Sequence, residues 1–137
     1  MNLLRLIAFG YFLALLLAAA TNYIPGITDA QGRAFGIFAL DIYDDSLHLA
    51  SALWALGVAL TSTRASIIFL KAFGTLYLLD GLLGFATGSG YLDLGIFIWG
   101  VQPFDLVFRI LNNLPHIALG GFAAFAGFYL ARMRGDA

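Results

Sequence analysis

Apolar residues fall into four runs, 3–23, 46–61, 66–87 and 115–131, each near the length at which a helix spans a hydrocarbon core of about 30 Å. The second and fourth are short and need polar residues at their outer ends to reach the headgroups. The connections differ in character. Residues 24–45 hold the breakers Pro25, Gly26, Gly32 and Gly36, then an apolar piece over 34–43; residues 88–113 hold five more breakers and an amphipathic piece over 104–111. Both connections are too apolar to be freely solvated, so short helices lying at the interface are expected in each.

The two halves repeat one another. Ala8-Phe9-Gly10 matches Ala72-Phe73-Gly74, and Gly36-Ile37-Phe38 matches Gly95-Ile96-Phe97. Residues 44–50 pair with 112–118, which makes His48 equivalent to His116, the only two histidines. The reading is one domain built of two two-helix repeats, 1–62 and 63–137, related by a pseudo-twofold axis along the membrane normal. Asp45 or Ser46 and Asn113 are suitable helix N-caps, and Pro115 suits a first turn, so both histidines are expected in the first turn of their helices. The first run could be a cleaved signal, but its pattern recurs inside the chain, which favours a structural helix.

This pattern of a helix, an apolar Gly-Ile-Phe loop, then Asp/Asn-x-x-x-His opening a Gly/Ala-rich helix, twice over, resembles a family of small bacterial four-helix integral membrane proteins to which no function is assigned. The resemblance covers nearly the whole chain. It implies an all-α membrane fold in the bacterial cytoplasmic (inner) membrane, and no activity.

Composition agrees: 61% of the 137 residues are hydrophobic and 11% charged, against about a quarter charged in soluble domains. Arg5, Arg64, Lys71, Arg132 and Arg134 lie on one side and only Arg33 and Arg109 on the other, which places both termini in the cytoplasm. Asp29, Asp41, Asp44, Asp45, Asp93 and Asp105 then make the outer side acidic. A net charge of −1 leaves no basic face for nucleic acid. The absence of cysteine removes thiolate chemistry and disulfides.

Paired imidazoles on facing helices are how a haem b is held between two axial ligands, so His48 and His116 are candidates. With Asp44 or Asp45 on the same helical face they could instead hold a divalent metal. The simpler reading is an interfacial pair bonded to loop carbonyls. Asp80 interrupts an apolar run, where an ionisable residue is costly and marks a site by default; it lies within reach of His48, His116 or Arg109. Its counterpart in the first helix is Leu16. Gly84 and Gly88, the trio Ser51, Ala55 and Ala59, and Gly120 with Ala124 form small-residue ridges suited to close helix packing.

No catalytic triad, phosphate loop or pair of intramembrane carboxylates is present, so enzyme and pump readings lack their parts. The sequence favours an accessory or structural subunit embedded in the bilayer and packing on other membrane subunits or on itself. A haem- or metal-binding redox bundle is the alternative, and a lipid- or quinone-binding cavity between the halves a lesser one.

Overall fold

A computed structural model describes residues 1–136 of the chain. Four long helices account for most of it: α1 (Leu3–Ala20), α2 (Ile42–Thr61), α3 (Thr63–Thr87) and α5 (Leu106–Ala124), with a short α4 (Gly95–Trp99) in the second long loop, between α3 and α5. No strand occurs among the described residues; the first long loop, between α1 and α2, is held by two isolated bridges, Thr28 to Ala34 and Ala34 to Phe38. A short helix was expected in each loop, and only the second has a separate one. In the first, Gly26, Gly32 and Gly36 adopt positive φ and turn the chain too often for a helical run.

Side chains fix the helix ends. Asn2 accepts the N–H of Arg5 at the start of α1. Asp41 and Asp44 form a reciprocal capping box on α2. Ser62 alone separates α2 from α3, closing one helix with its extended backbone while its hydroxyl accepts the N–H of Ala65 in the next. Gly88, at φ +83°, ends α3 in the left-handed conformation that a glycine tolerates.

The N-caps of the histidine helices lie earlier than the sequence reading placed them. α2 is capped by Asp41 rather than Asp45 or Ser46, and α5 by Asp105 rather than Asn113, so Pro115 sits inside α5 and His116 about three turns in. The piece 104–111, expected as a separate interfacial helix, supplies the first turns of α5 instead. Pro115 removes one ladder N–H, a loss that neighbouring helices and side chains can offset in an apolar environment.

Beyond Ala124 the helix widens into a π-turn, Phe125–Leu130, before a last turn, α6 (Ala131–Met133). Three helical stretches are long and apolar enough to cross a membrane: Leu3–Tyr23, Thr63–Thr87 and Leu106–Met133. α2, with 20 residues, is shorter than each of these and carries Asp44, Asp45 and His48 in its first two turns.

α1 packs chiefly on α2 and α3 chiefly on α5, with smaller contacts from α3 to α2 and α1. The α3–α5 seam is made of missing side chains. A Cβ on Gly74 would overlap the backbone of Ala124, one on Gly120 the backbone of Leu78, and one on Gly84 the side chain of Asn113. Gly88 likewise meets the Gln102 carbonyl, while Ser51, Ala55 and Ala59 are buried in the helix contacts of α2. The small-residue ridges are thus occupied inside the chain. Along α3, Phe69, Phe73 and Tyr77 stack at i, i+4 spacing with ring centroids 5.1 and 3.9 Å apart, and Trp54 and Tyr11 meet the column edge-on. The column forms the centre of the apolar core.

Candidate ligand-binding site

At its Tyr77 end the aromatic column runs into polar groups. The Tyr77 ring lies 5.0 Å from that of His116, centroid to centroid, and its hydroxyl shares a 3.0 Å hydrogen bond with Ser51 Oγ. His116 and His48 pack edge to face with centroids 6.0 Å apart, so helices α5 and α2 bring the two histidines together as their matched positions suggested.

Asp80 is the centre of the arrangement. Only 2% exposed, it directs Oδ2 to Nδ1 of His116 at 2.6 Å, while Oδ1 accepts the backbone N–H groups of Tyr91 and Leu92 at 2.6 and 2.8 Å. A carboxylate in an apolar bundle is tolerable because both of its oxygens take hydrogen bonds. With Oδ1 taking two N–H donors, the remaining oxygen is the acceptor for Nδ1–H, and a neutral His116 then offers the Nε2 lone pair. Of the three partners anticipated for Asp80, His116 is the one it takes. Arg109 turns away and donates to the Ala86 and Phe85 carbonyls at the end of α3.

His48 is 8% exposed, and its Nδ1 is buried without a hydrogen-bond partner. A buried polar atom left unpaired costs about 1–3 kcal/mol. Asp45, which precedes it by three residues, does not supply the bond: its Oδ2 accepts from Tyr23 Oη at 3.0 Å and from Asn22 at 3.5 Å, at the end of α1. Asp44 is engaged in the α2 capping box. Among the described residues no group of three or more metal-ligating side chains converges, so the expected set of both histidines with Asp44 or Asp45 is not assembled. Capping and the Tyr23 hydroxyl have drawn the two aspartates elsewhere.

The two histidines and Asp80 line a cavity of about 450 Å³, a size within the range of roughly 300–1,000 Å³ found for small-molecule sites. Its walls come from both halves of the chain: Leu15 and Ala18 of α1, Phe35 and Phe38 of the first long loop, Trp99 and Phe104 of the second. Phe35, at φ +53°, holds a left-handed conformation unusual for a bulky residue, and Leu94, beside the cavity residues Asp93 and Gly95, does the same at φ +66°. Backbone strain of this kind costs about 1–3 kcal/mol and clusters where a site is being shaped.

Sequence reasoning missed several participants. Tyr77 lay unremarked in the apolar run 66–87, Ser51 read as a ridge residue, and the Tyr91 and Leu92 backbone donors carry no side-chain signal at all. Asp93 was visible only as part of an acidic outer side. Comparison with protein-family models, curated proteins and solved structures gives no match to this chain.

Proposed function

We propose that this chain is a ligand-binding protein of the bacterial cytoplasmic membrane, whose cavity takes an amphipathic small molecule from the outer leaflet or the outer aqueous phase. In this reading α2 is a fourth span, the chain is two two-helix repeats with both termini in the cytoplasm, and the resemblance to small bacterial four-helix membrane proteins holds. The observation that carries it is the cavity itself, apolar and aromatic in its walls, with the Asp80–His116 pair and an unpartnered His48 at one end. Apolar walls with a few convergent polar groups are the usual composition of a small-molecule site.

Purification in a mild neutral detergent, followed by native mass spectrometry, tests it. A bound small molecule is expected, lost on Ala18→Trp, which fills the cavity from α1. A folded wild-type protein that carries nothing and takes up no amphipathic probe would sink the reading. Because the chain has no cysteine, single cysteines at Asp93 and Arg134 report topology directly: impermeant reagent should label the first from outside the cell and the second only after permeabilisation.

A second reading is favoured by one detail. His116 is held at Nδ1 by a carboxylate, the arrangement that orients an imidazole as a metal or haem ligand through Nε2. The absorption spectrum of the same preparation decides it, since a Soret band abolished by both His48→Ala and His116→Ala would make the pair haem ligands. The reading as an accessory subunit draws on the outer aromatic residues, Phe97 and Trp99 among them, which remain exposed. The small-residue ridges are already used within the chain.

A further inference from the structure

The charges around the cavity are of one sign. Asp41, Asp44, Asp80 and Asp93 line it, and no lysine or arginine does. The two outer cations are engaged elsewhere: Arg33 pairs with Asp29 at 3.2 Å, and Arg109 donates to the carbonyls ending α3. Asp80 is balanced by the Nδ1–H of His116 and two backbone donors. Asp44 and Asp93 each accept one backbone N–H through one oxygen, Asp44 from Asp41 and Asp93 from Gly95. Neither carboxylate has a cationic partner.

Carboxylates alone would say little, but two further features point to what sits among them. His48, more than nine-tenths buried, lines the same cavity with Nδ1 lacking any partner. The rings of Phe35, Phe38, Trp99 and Phe104 form the apolar wall, and aromatic faces attract cations through their quadrupole. An anionic headgroup would meet four carboxyl groups and no lysine or arginine. A neutral ligand would leave the crowding of the Asp44 and Asp93 carboxyl groups to be relieved by uptake of a proton alone.

We infer that the ligand is an organic ammonium ion with an apolar or aromatic body, its charge placed between Asp44 and Asp93 and its body against the aromatic wall. This assignment rests on the cavity being a ligand site, and the experiment separates the two claims.

In neutral maltoside micelles, a Trp54→Phe background leaves Trp99 as the sole tryptophan and a reporter in the cavity wall. Three probes of similar shape are titrated: benzyltrimethylammonium, its neutral isostere neopentylbenzene, and benzenesulfonate. The cation is expected to bind at least about tenfold more tightly than the neutral isostere, and the anion more weakly than either. In Asp44→Asn/Asp93→Asn, which keeps the amide oxygens available as backbone acceptors, the preference for the cation should fall by about tenfold while the neutral isostere binds as before. Equal binding of cation and neutral isostere by the wild type overturns the ammonium assignment and leaves the cavity as a site for neutral ligands. Binding of none of the three overturns both. Should the double variant fail to fold, the ranking of the probes on the wild type still decides.

Discussion

His116 Nδ1 and Asp80 Oδ2 stand 2.6 Å apart, and the other oxygen of the same carboxylate holds the backbone of Tyr91 and Leu92. One side chain on α3 therefore fixes both the imidazole on α5 and the start of the second long loop. Gly90 makes this possible, because a Cβ there would stand 2.7 Å from Asp80 Oδ1.

Replacing Asp80 should uncouple these parts. Asp80→Ala leaves two buried N–H groups and the imidazole unpaired and is expected to destabilise the protein by about 3 kcal/mol or more. Asp80→Asn keeps an acceptor for Tyr91 and Leu92 and should cost less, while still altering the tautomer of His116. Thermal melts in detergent rank the two variants, and the ¹⁵N shifts of the His116 ring report the tautomer; equal melting temperatures for both variants would show that the loop bonds contribute nothing.

Neighbouring glycines give a sharper test of the α3–α5 seam. A Cβ at Gly120 overlaps the Leu78 backbone, whereas one at Gly121 meets nothing. Gly120→Ala must push two backbones apart and should cost at least about 1–3 kcal/mol. Gly121→Ala should be neutral or stabilising by about 0.5–1 kcal/mol, since alanine loses less backbone entropy in a helix. A melting temperature unchanged by Gly120→Ala would refute the packing described.

Arg5 joins the start of α1 to the end of α2, donating from Nε to the Ala59 carbonyl at 2.7 Å and from Nη2 to that of Leu60 at 3.0 Å. These carbonyls belong to the last turn of α2 and lack intrahelical donors. Arg5→Met should cost about 1 kcal/mol and Arg5→Lys less, because lysine keeps the charge but not the two-pronged geometry. Amide exchange at Ser62 to Ala65 should quicken in Arg5→Met if the helix end frays.

How much of this was legible in sequence depended on what kind of signal each part left. The pairing of His48 with His116 and the burial of Asp80 followed from patterns of residue type, and both meet in the structure. The start of α5 did not. Asn112-Asn113-Leu114-Pro115 carries the usual marks of a helix beginning, while the true cap, Asp105, stands after an apolar loop and resembles one more acidic outer residue. In an apolar surrounding a helix runs through Pro115, since breaking it there would expose still more unpaired backbone. The fates of Asp44 and Asp45 were hidden for another reason. Spacing alone puts a carboxylate near His48, but Asp45 goes to Tyr23 and Asn22, and those contacts exist only once α1 and α2 have packed.

Acid should loosen the first long loop. Asp29 accepts the backbone N–H groups of Arg33 and Gln31 at 2.8 and 2.9 Å, and these bonds, led by that of Arg33, hold its carboxyl below its ordinary value. A depressed carboxylate pKa means stability that is present above the ordinary value, about 4, and lost as pH falls through the lowered one. Amide shifts of residues 29–36 should therefore hold steady down to about pH 4 and move together below it. Asp29→Asn should abolish that step.

The π-turn at Phe125–Leu130 gives the last helix a reserve of length. A π-turn is an α-helix holding one residue more than its ladder needs, kept here where Gly127 lets the backbone approach Lys71. Deleting one residue within it would let the helix close to α geometry instead of breaking it. The few residues beyond would then keep their phase around the axis, because the wider turn already absorbs the extra residue. Arg132 would stay on the same side of the bundle. A chain end that can lose a residue yet stay helical is one in which length can vary while the seam above it stays in register.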